Sequence, residues 1–399
     1  MPNNQLQPPT IGRVEEVPRL SWAEVCARRL ERHKLTAPSQ DARPADVVRA
    51  ICGAHAQVMS AAELSIGLRL AGITRTDVRE ALWRERSLVK TYGPRGTVHI
   101  LPTQDLPMWT GALSAAPYGL NADARNELLT PEQAEVVIEA IAFVLENAEL
   151  TADELTEALV DRVGPWAGDP VMAAFQGMWP RWRMAQSTAG VRGALCFGPN
   201  RGRYVTHTSP RRWLPGFRPA DERTALAGVV RGYLHAYGPA TPQHFALWLA
   251  APRRWAIELF ESLSGQLQKV EVDGTLAWVV AGDTHAPTTA PQGVRLLPYF
   301  DAYAVGCHPR ELLYPGRAAE RALAGGQAGN FPVLLIDGTV AGVWHQRRSG
   351  RKLDITVEPL EEFTAAQRLE LDNQVGRIGE ILEGKPQLTI GTVTAGGHA

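Results

Sequence analysis

The sequence predicts an α+β protein in which three tandem winged-helix domains precede a mainly-β, barrel-like C-terminal domain. Three stretches about ninety residues apart place a hydroxyl side chain before an apolar run: Ser60-Ala-Ala-Glu-Leu, Thr151-Ala-Asp-Glu-Leu and Thr241-Pro-Gln-His-Phe. In the first two, a glutamate three places on predicts a helix that begins with a capping box. After each come another helical stretch and two β-prone runs, which is the order of a winged helix. From about residue 291, short β-prone runs joined by glycine-containing turns predict the C-terminal domain.

The first domain is expected over 18–110, after a flexible proline-rich segment over 1–17. Ser21-Trp-Ala-Glu24 predicts a capping box at the start of its first helix. Gly93-Pro94, between two β-prone runs, predicts the turn of its hairpin. The expected elements are helices over 21–33, 44–54, 60–71 and 76–85 and a hairpin over 88–101.

The second and third domains are expected over 111–215 and 216–287, and the C-terminal domain over 288–399. Asp273-Gly274 predicts a tight hairpin turn in the third domain. The second domain is expected to contain helices over 130–147, from Thr151 and over 172–189 (with Phe175, Met178, Trp179 and Trp182 in its core) and a hairpin over 193–206. The third is expected to contain helices from Asp221, Thr241 and Pro252. The C-terminal domain is expected to contain strands over 296–301, 331–338, 340–344 and 353–357, a helix over 365–383 and a frayed end over 392–399.

The composition is that of a globular protein with a sizeable core. Of 399 residues 45% are hydrophobic, and the net charge of −1 gives no bulk attraction to nucleic acid or to an anionic membrane. The scattered cysteines Cys26, Cys52, Cys196 and Cys307 match neither a zinc motif nor a disulfide framework. The N-terminus lacks the features of a signal peptide, and no apolar run is long enough to span a membrane. We therefore expect a cytoplasmic monomer that uses no metal or other cofactor.

Two short regions concentrate basic side chains. Arg201 and Arg203 lie at the tip of the second expected hairpin, and Arg347 and Arg348 lie before a C-terminal strand. Local stripes of this kind are the form that a DNA footprint takes in a protein of near-zero net charge. The alternative for each cluster is a solvated arginine-rich surface without a partner.

The first of the three copies differs from the others just before its hydroxyl residue. Five and three positions upstream it has two hydrogen-bonding side chains, His55 and Gln57. The corresponding residues in the other copies are Glu146 and Ala148, then Ala236 and Gly238. Side chains at i and i+2 share one face of an extended segment, so both are expected to point into one cleft at the junction between two helices. The alternative is a pair of polar groups that only cap or satisfy the core.

This triplet occurs together with further motifs. They are Gly93-Pro-Arg95-Gly-Thr-Val-His99, Leu297-Pro-Tyr-Phe-Asp301-Ala-Tyr-Ala-Val-Gly306 and Gly342-Val-Trp344. With them the chain resembles, over about 20–390, the AlkZ-like bacterial DNA glycosylases, which combine three tandem winged helices with a C-terminal β domain. That family's catalytic triplet is usually Gln-apolar-Gln or Gln-apolar-Asp. His55 at the first position resembles a smaller branch, similar to resistance proteins of antibiotic-producing actinomycetes.

The resemblance implies a monofunctional DNA glycosylase that removes bulky N7-alkylguanine adducts from double-stranded DNA and leaves an abasic site. The expected role is DNA repair or self-resistance to a genotoxin, at the nucleoid. An N7-alkylated guanine is already cationic, so its departure needs a positioned water more than a strong acid. Gln57 would orient this water, and His55 would accept its proton or bind the adjacent phosphate. Because neither is a Schiff-base lysine, hydrolysis is expected rather than lyase chemistry.

Supporting roles follow for four further residues. Lys90 and Arg95 on the first hairpin are expected to contact phosphates, the alternative being solvated side chains. His99 is expected to make a structural hydrogen bond, and Asp301 either supports the site or makes a turn or inter-domain hydrogen bond. No aromatic cage is evident near His55, which favours recognition of the adduct without flipping the base.

Two other functions stay open at this stage. One is a winged-helix transcription regulator, in which the His55-Ala-Gln57 junction is only a connector. The other is a resistance protein that sequesters the toxin itself. Release of a modified base from DNA would distinguish the glycosylase from both.

Overall fold

The computed structural model describes residues 17–117, 128–174 and 177–397. The expected flexible segment therefore lies, apart from Val17, outside the described residues, as does Phe175. The fold is mixed α+β with a curled C-terminal sheet. It begins with β1 (Arg19–Leu20) and α1 (Trp22–Arg32). Ser21 and Glu24 form the predicted capping box at the start of α1.

The first repeated unit is a helix, a short strand, two helices and a hairpin. Its elements are α2 (Pro44–Ala50), β2 (Ala54–His55), α3 (Met59–Gly67), α4 (Arg75–Trp83), β3 (Leu88–Tyr92) and β4 (Val98–Pro102). The predicted hairpin is confirmed, and the short strand β2 pairs with its second strand to give the order β2-β4-β3.

The helix cap predicted at Ser60 is wrong. Helix α3 begins earlier, with Val58 as its N-cap, and no side chain caps it. Glu63 is instead fully buried, and it forms ion pairs with Arg79 at 2.6 Å and Arg75 at 3.2 Å. A buried carboxylate needs partners of opposite charge, so the acidic residue that suggested a capping box instead links α3 to α4.

The second unit repeats the order but replaces one expected helix. Helix α5 (Leu106–Ala115) leads into α6 (Pro131–Leu145), β5 (Glu149–Thr151), α7 (Ala152–Val163), β6 (Pro170–Ala173), β7 (Met178–Pro180), α8 (Gln186–Val191), β8 (Cys196–Arg201) and β9 (Tyr204–Thr208). Thr151 forms the predicted capping box with Glu154. A single helix over 172–189 is wrong, because its first half is the hairpin β6–β7 and a short 3₁₀ turn precedes α8. Strand order β5-β9-β8 matches that of the first unit.

The third unit contains α9 (Glu222–Tyr237), α10 (Pro242–Leu249), α11 (Arg253–Ser262), β10 (Leu267–Val272) and β11 (Thr275–Val280). Thr241 caps α10, and the predicted turn at Asp273-Gly274 is confirmed. Ala240 bridges to Trp278 on β11, in the place that β2 and β5 occupy in their own sheets. The N-terminal strand β1 joins the opposite edge, parallel to β10.

The C-terminal sheet has the strand order β12-β13-β14-β15-β16. The elements are β12 (Val294–Leu297), α12 (Ala302–Gly306), α13 (Arg310–Leu313), α14 (Arg317–Ala322), β13 (Val333–Ile336), β14 (Thr339–Ser349), β15 (Lys352–Pro359), α15 (Ala365–Ile381) and β16 (Lys385–Ile390). A strand is present in each of the four predicted regions and the final helix is confirmed, but the strand predicted over 296–301 ends at Leu297. The short helices α12 to α14 and strand β16 were not predicted. The predicted fraying over 392–399 is wrong at Val393. Its backbone N–H donates a hydrogen bond to the Glu358 carboxylate, and its carbonyl oxygen accepts one from Arg321.

One hydrophobic core crosses the borders between the units. Its largest cluster includes Leu64 from α3, Leu113 from α5, Tyr233 from α9 and Leu335 from β13. The first and second units also touch at Gly190, where an added Cβ would lie 2.3 Å from the Tyr92 ring. This shared packing fixes the β2–α3 junction against both neighbouring units and the C-terminal sheet.

Candidate active site

The expectation that no aromatic cage lies near His55 is wrong, because its ring lies in a small aromatic pocket at the end of β2. Register pairs His55 with His99 across the sheet, and the two rings meet edge to face at 5.1 Å. Phe300, from the segment after β12, stacks on His55 with ring centroids 4.5 Å apart. The pocket is about 10 Å³, which is roughly the space of one water molecule.

His99 is held in one orientation. Its Nδ1 lies 2.9 Å from the Thr97 carbonyl oxygen, so this nitrogen carries the proton and donates. An added Cβ at Gly93 would lie 2.7 Å from His99 Cγ, so glycine there leaves room for the ring. Burial, and then the nearby charges of His55 and Arg95, hold the pKa of His99 well below its usual range. His99 thus makes the structural hydrogen bond that the sequence predicted, and its ring packs against that of His55.

Left-handed backbone is concentrated around this pocket. Three of its lining residues other than glycine have positive φ: Cys52 at 58°, Arg95 at 62° and Phe300 at 55°. Such conformations cost about 1–3 kcal/mol each and gather at functional sites, where surrounding structure enforces them. The Arg95 guanidinium donates to the Trp248 carbonyl oxygen at 2.6 Å and thereby joins the first hairpin to α10.

Gln57 faces a different and much larger cavity. Burial alternates along the junction, with His55 partly buried, Ala56 buried and Gln57 exposed, as expected for an extended segment. Ala56 N donates to the Val98 carbonyl oxygen at 2.8 Å and continues the strand pairing. Gln57 lines a cavity of about 680 Å³ between the first and second units, whereas His55 lines the small pocket. The two side chains therefore line separate cavities and not the single cleft that the sequence predicted.

The true helix cap also changes which residues correspond between copies. Because α3 starts from Val58, the N-caps that correspond are Val58, Thr151 and Thr241. His55 and Gln57 then correspond to apolar or glycine residues only, which are Ala148 and Leu150 in the second unit and Gly238 and Ala240 in the third. The first unit is therefore more distinct than the sequence alignment suggested.

Asp301 is a buried structural carboxylate. It receives two hydrogen bonds from Arg69 at 2.8 and 2.9 Å and one from the Ser65 hydroxyl at 2.6 Å, and both charged side chains are fully buried. Burial opposes its ionisation, but the charge and hydrogen bonds of Arg69 outweigh burial and lower the pKa of Asp301. It also accepts from Tyr303 N at 3.0 Å, at the start of α12. These contacts fit the alternative in which Asp301 makes a structural hydrogen bond between domains.

The remaining basic residues lie in three places. Lys90 lines the large cavity, with Nζ 5.1 Å from the Phe197 ring centre. At the tip of the second hairpin, Arg201 pairs with Glu154, and the Arg203 guanidinium lies over the Tyr204 ring. Two exposed arginines project from β14: Arg347, which lies 3.9 Å from Asp354, and Arg348, which donates to the Leu382 and Gly350 carbonyl oxygens.

Aromatic residues around Gln57 were not foreseen in the sequence. Trp179 and Tyr204 line the cavity and are exposed, although the sequence prediction put Trp179 in a helix core. Met178 from the same predicted core is also exposed, whereas Trp182 is fully buried. Gly177 and Pro180 were the available signals, since both disfavour the middle of a helix.

Comparison with known proteins places the chain in a family. A sequence model of the AlkZ-like DNA glycosylases matches residues 48–381, which is most of the chain. The protein belongs to the AlkZ-like DNA glycosylase family. A curated relative, the interstrand DNA cross-link repair glycosylase of Streptomyces sahachiroi, is 32% identical over 341 residues, covering 82% of this chain and 88% of the relative. The solved structure of the S. sahachiroi DNA glycosylase AlkZ matches with a TM-score of 0.77 and 27% identity, covering 93% of this chain and 100% of that one.

Membership establishes the enzyme class, a DNA glycosylase acting in DNA repair. Across the described part of the chain, every helix is too short or too polar to cross a lipid bilayer. In the same residues no group of three or more His, Cys, Asp and Glu side chains is arranged to hold a metal ion.

Proposed function

We propose that this glycosylase hydrolyses the N-glycosidic bond of bulky N7-alkylguanine adducts in duplex DNA, in repair or in self-resistance to a genotoxin. The position of Gln57 carries the proposal. This exposed polar side chain lies beside a cavity of about 680 Å³, immediately before the α3 N-cap Val58. The relative described as an interstrand cross-link repair glycosylase supports a covalently damaged duplex as the substrate.

In this proposal the three repeated units are winged-helix domains over 18–110, 111–215 and 216–287, followed by a C-terminal domain over 288–399. The shared strand order of the first two sheets, and the bridge at Ala240 in the third, support it. A single copy of the chain cradles the duplex. The residues proposed to contact its phosphates are Lys90, Arg95, Arg201, Arg203, Arg347 and Arg348.

The reaction needs one water and no covalent enzyme intermediate. The water oxygen forms a bond to C1′ as the bond from C1′ to N9 breaks, and the bonding electrons go to the cationic base. The base leaves as a neutral N7-alkylguanine, the water proton passes to a base or to solvent, and an abasic site remains. The Gln57 amide oxygen accepts a hydrogen bond from this water and aims it at C1′.

His55 has two candidate roles that make different predictions. It either accepts the water proton or, when protonated, binds the phosphate beside the lesion. A proton acceptor gives a rate that rises with pH through the histidine pKa, and a phosphate ligand gives a rate that falls. The left-handed Cys52, Arg95 and Phe300 around the ring support a preorganised His55 in either role.

The test is single-turnover release from a duplex that carries one defined N7-alkylguanine. We expect alkali-labile abasic sites without strand breaks before alkali treatment, and a loss of about 10²-fold in Gln57→Ala. Gln387→Ala, an exposed glutamine on β16, is the matched control and retains the wild-type rate. Sequence-selective binding without base release would contradict the proposal, as would capture of the free alkylating compound without action on DNA.

A further inference from the structure

The pocket around His55 takes one of its rings from the C-terminal domain. Phe300 follows β12, and its ring stacks on the His55 imidazole with an interplanar angle of 29°. The His99 ring, from β4 of the first unit, meets the same imidazole edge to face. An imidazole packed against two aromatic rings has few staggered rotamers open to it. The orientation of His55 therefore depends on a side chain that lies outside its own unit.

The backbone at Phe300 adopts a conformation that phenylalanine rarely takes. Its φ of 55° lies in the left-handed region, where a bulky side chain is an outlier. The residue is only half-buried, so hydrophobic burial alone gives little reason for this conformation. A strained backbone persists where neighbouring contacts enforce it, and such residues gather at functional sites. What the conformation does provide is the stacked contact with His55.

Two sets of contacts enforce this backbone conformation. The Phe300 N–H donates to the Gly329 carbonyl oxygen at 3.0 Å, and a Cβ added at Gly329 would lie 2.8 Å from Phe300 Cδ1. Glycine at this position therefore leaves room for the ring. The next residue, Asp301, is fixed by hydrogen bonds from Ser65 on α3 and from Arg69 just after it. Because α3 follows β2 in the chain, these bonds tie the Phe300 segment to the β2–α3 junction.

We propose that Phe300 is a positioning residue for base release, and that it acts through His55 by holding the imidazole in the orientation that the reaction uses. The inference rests on the proposed function, because it assigns a support to a side chain of the proposed reaction. Phe300 needs no contact with the DNA in this role. The C-terminal domain then completes the active site of the first unit, and the left-handed backbone at Phe300 is retained for this contact.

The experiment is a double-mutant cycle on the full chain, measured as the single-turnover rate on a duplex that carries one defined N7-alkylguanine. The variants are Phe300→Leu, His55→Ala and the two combined, with duplex affinity measured in parallel. Phe300→Tyr is the conservative variant, because it keeps an aromatic ring. Phe331→Leu is the matched control, since Phe331 is also a half-buried phenylalanine of the C-terminal domain but does not line the His55 pocket.

We expect Phe300→Leu to lower the rate about tenfold with duplex affinity unchanged, because a misoriented catalytic group loses rate without losing binding. Phe300→Tyr restores most of the rate, and Phe331→Leu keeps the wild-type rate. In the His55→Ala background, Phe300→Leu should change the rate less than about twofold, since the side chain that it supports is gone. Equal losses in both backgrounds would overturn the inference, as would a wild-type rate in Phe300→Leu or in His55→Ala.

A second readout does not depend on catalysis. In protein with isotope-labelled histidine, the nuclear magnetic resonance signals of the His55 imidazole are identified by their absence in His55→Ala. The Phe300 ring current shifts these signals, so we expect Phe300→Leu to move or broaden them and Phe331→Leu to leave them in place. If His55→Ala releases no detectable base, this spectrum decides in place of the cycle. Failure of the wild type to release any alkylated base would overturn the proposed function, whereas unchanged His55 signals in Phe300→Leu would overturn the support of His55 by Phe300.

Discussion

The buried ion pair between Arg69 and Asp301 joins the first unit to the C-terminal domain, and its removal has a calculable cost. In Asp301→Asn, the Arg69 guanidinium loses its charged partner while its side chain stays fully buried. Two bonds from Arg69, to the Ser65 carbonyl oxygen at 2.7 Å and hydroxyl at 3.1 Å, remain. Leaving one buried charge unpaired costs about 3–5 kcal/mol. We expect a loss of that size in the free energy of unfolding, measured by urea denaturation at pH 7.

A second ion pair with the same hydrogen-bond geometry but a more exposed arginine serves as the control for burial. Arg49 and Asp105 form the same two-bond pair, with distances of 2.8 and 3.0 Å, but the arginine side chain is 49% exposed. Asp105→Asn should therefore cost no more than about 1 kcal/mol. The double variant Arg69→Met with Asp301→Leu should recover most of the loss, because it leaves no unpaired charge. A loss in Asp301→Asn no larger than that in Asp105→Asn would refute this reasoning.

Three further predictions concern acid stability, helix capping and DNA affinity. Burial and then the Arg69 charge lower the pKa of His33 to about 3. The unfolded chain takes up this proton near pH 6.5 and the native state does not, so the free energy of unfolding falls by about 1.4 kcal/mol for each pH unit between these values. His33→Gln should make the urea midpoint less pH-dependent there, and an equal pH dependence would contradict this. Thr151→Ala should lower the free energy of unfolding by about 1 kcal/mol and Ser60→Ala by less than about 0.5 kcal/mol, because Thr151 caps a helix and Ser60 does not. Equal decreases in the melting temperature of the two variants would argue against this assignment. Replacing Arg347 and Arg348 by alanine should reduce the salt slope of duplex binding by about 1 to 2, and an unchanged slope would place both outside the DNA contact.

The sequence predicted most elements whose signals are local. The hairpin over 88–101 follows from two β-prone runs around Gly93-Pro94, and the Thr151 cap from a hydroxyl three places before a glutamate. The same pattern failed at Ser60, because Glu63 finds two arginines, one of them sixteen positions later in the chain. Such partners become visible only once α3 and α4 pack together.

The site was predicted only in part for the same physical reason. The distinct pair His55 and Gln57 is a sequence feature, and the extended segment that carries both follows from its position between two helices. The walls of the cavity come from separate elements of two units, so no sequence window contains them together. Trp179 shows the difficulty, because its neighbours suggested a helix while Gly177 and Pro180 favour the hairpin that forms.

We propose that base release takes place at the β2–α3 junction of the first unit. The most direct test is the single-turnover rate of Gln57→Ala on a duplex that carries one N7-alkylguanine, at saturating enzyme and with DNA binding measured in parallel. We expect a loss of about 10²-fold in rate with duplex affinity changed by less than about threefold. A Gln57→Ala rate within about threefold of the wild type would contradict it, since no positioned water would then depend on this side chain.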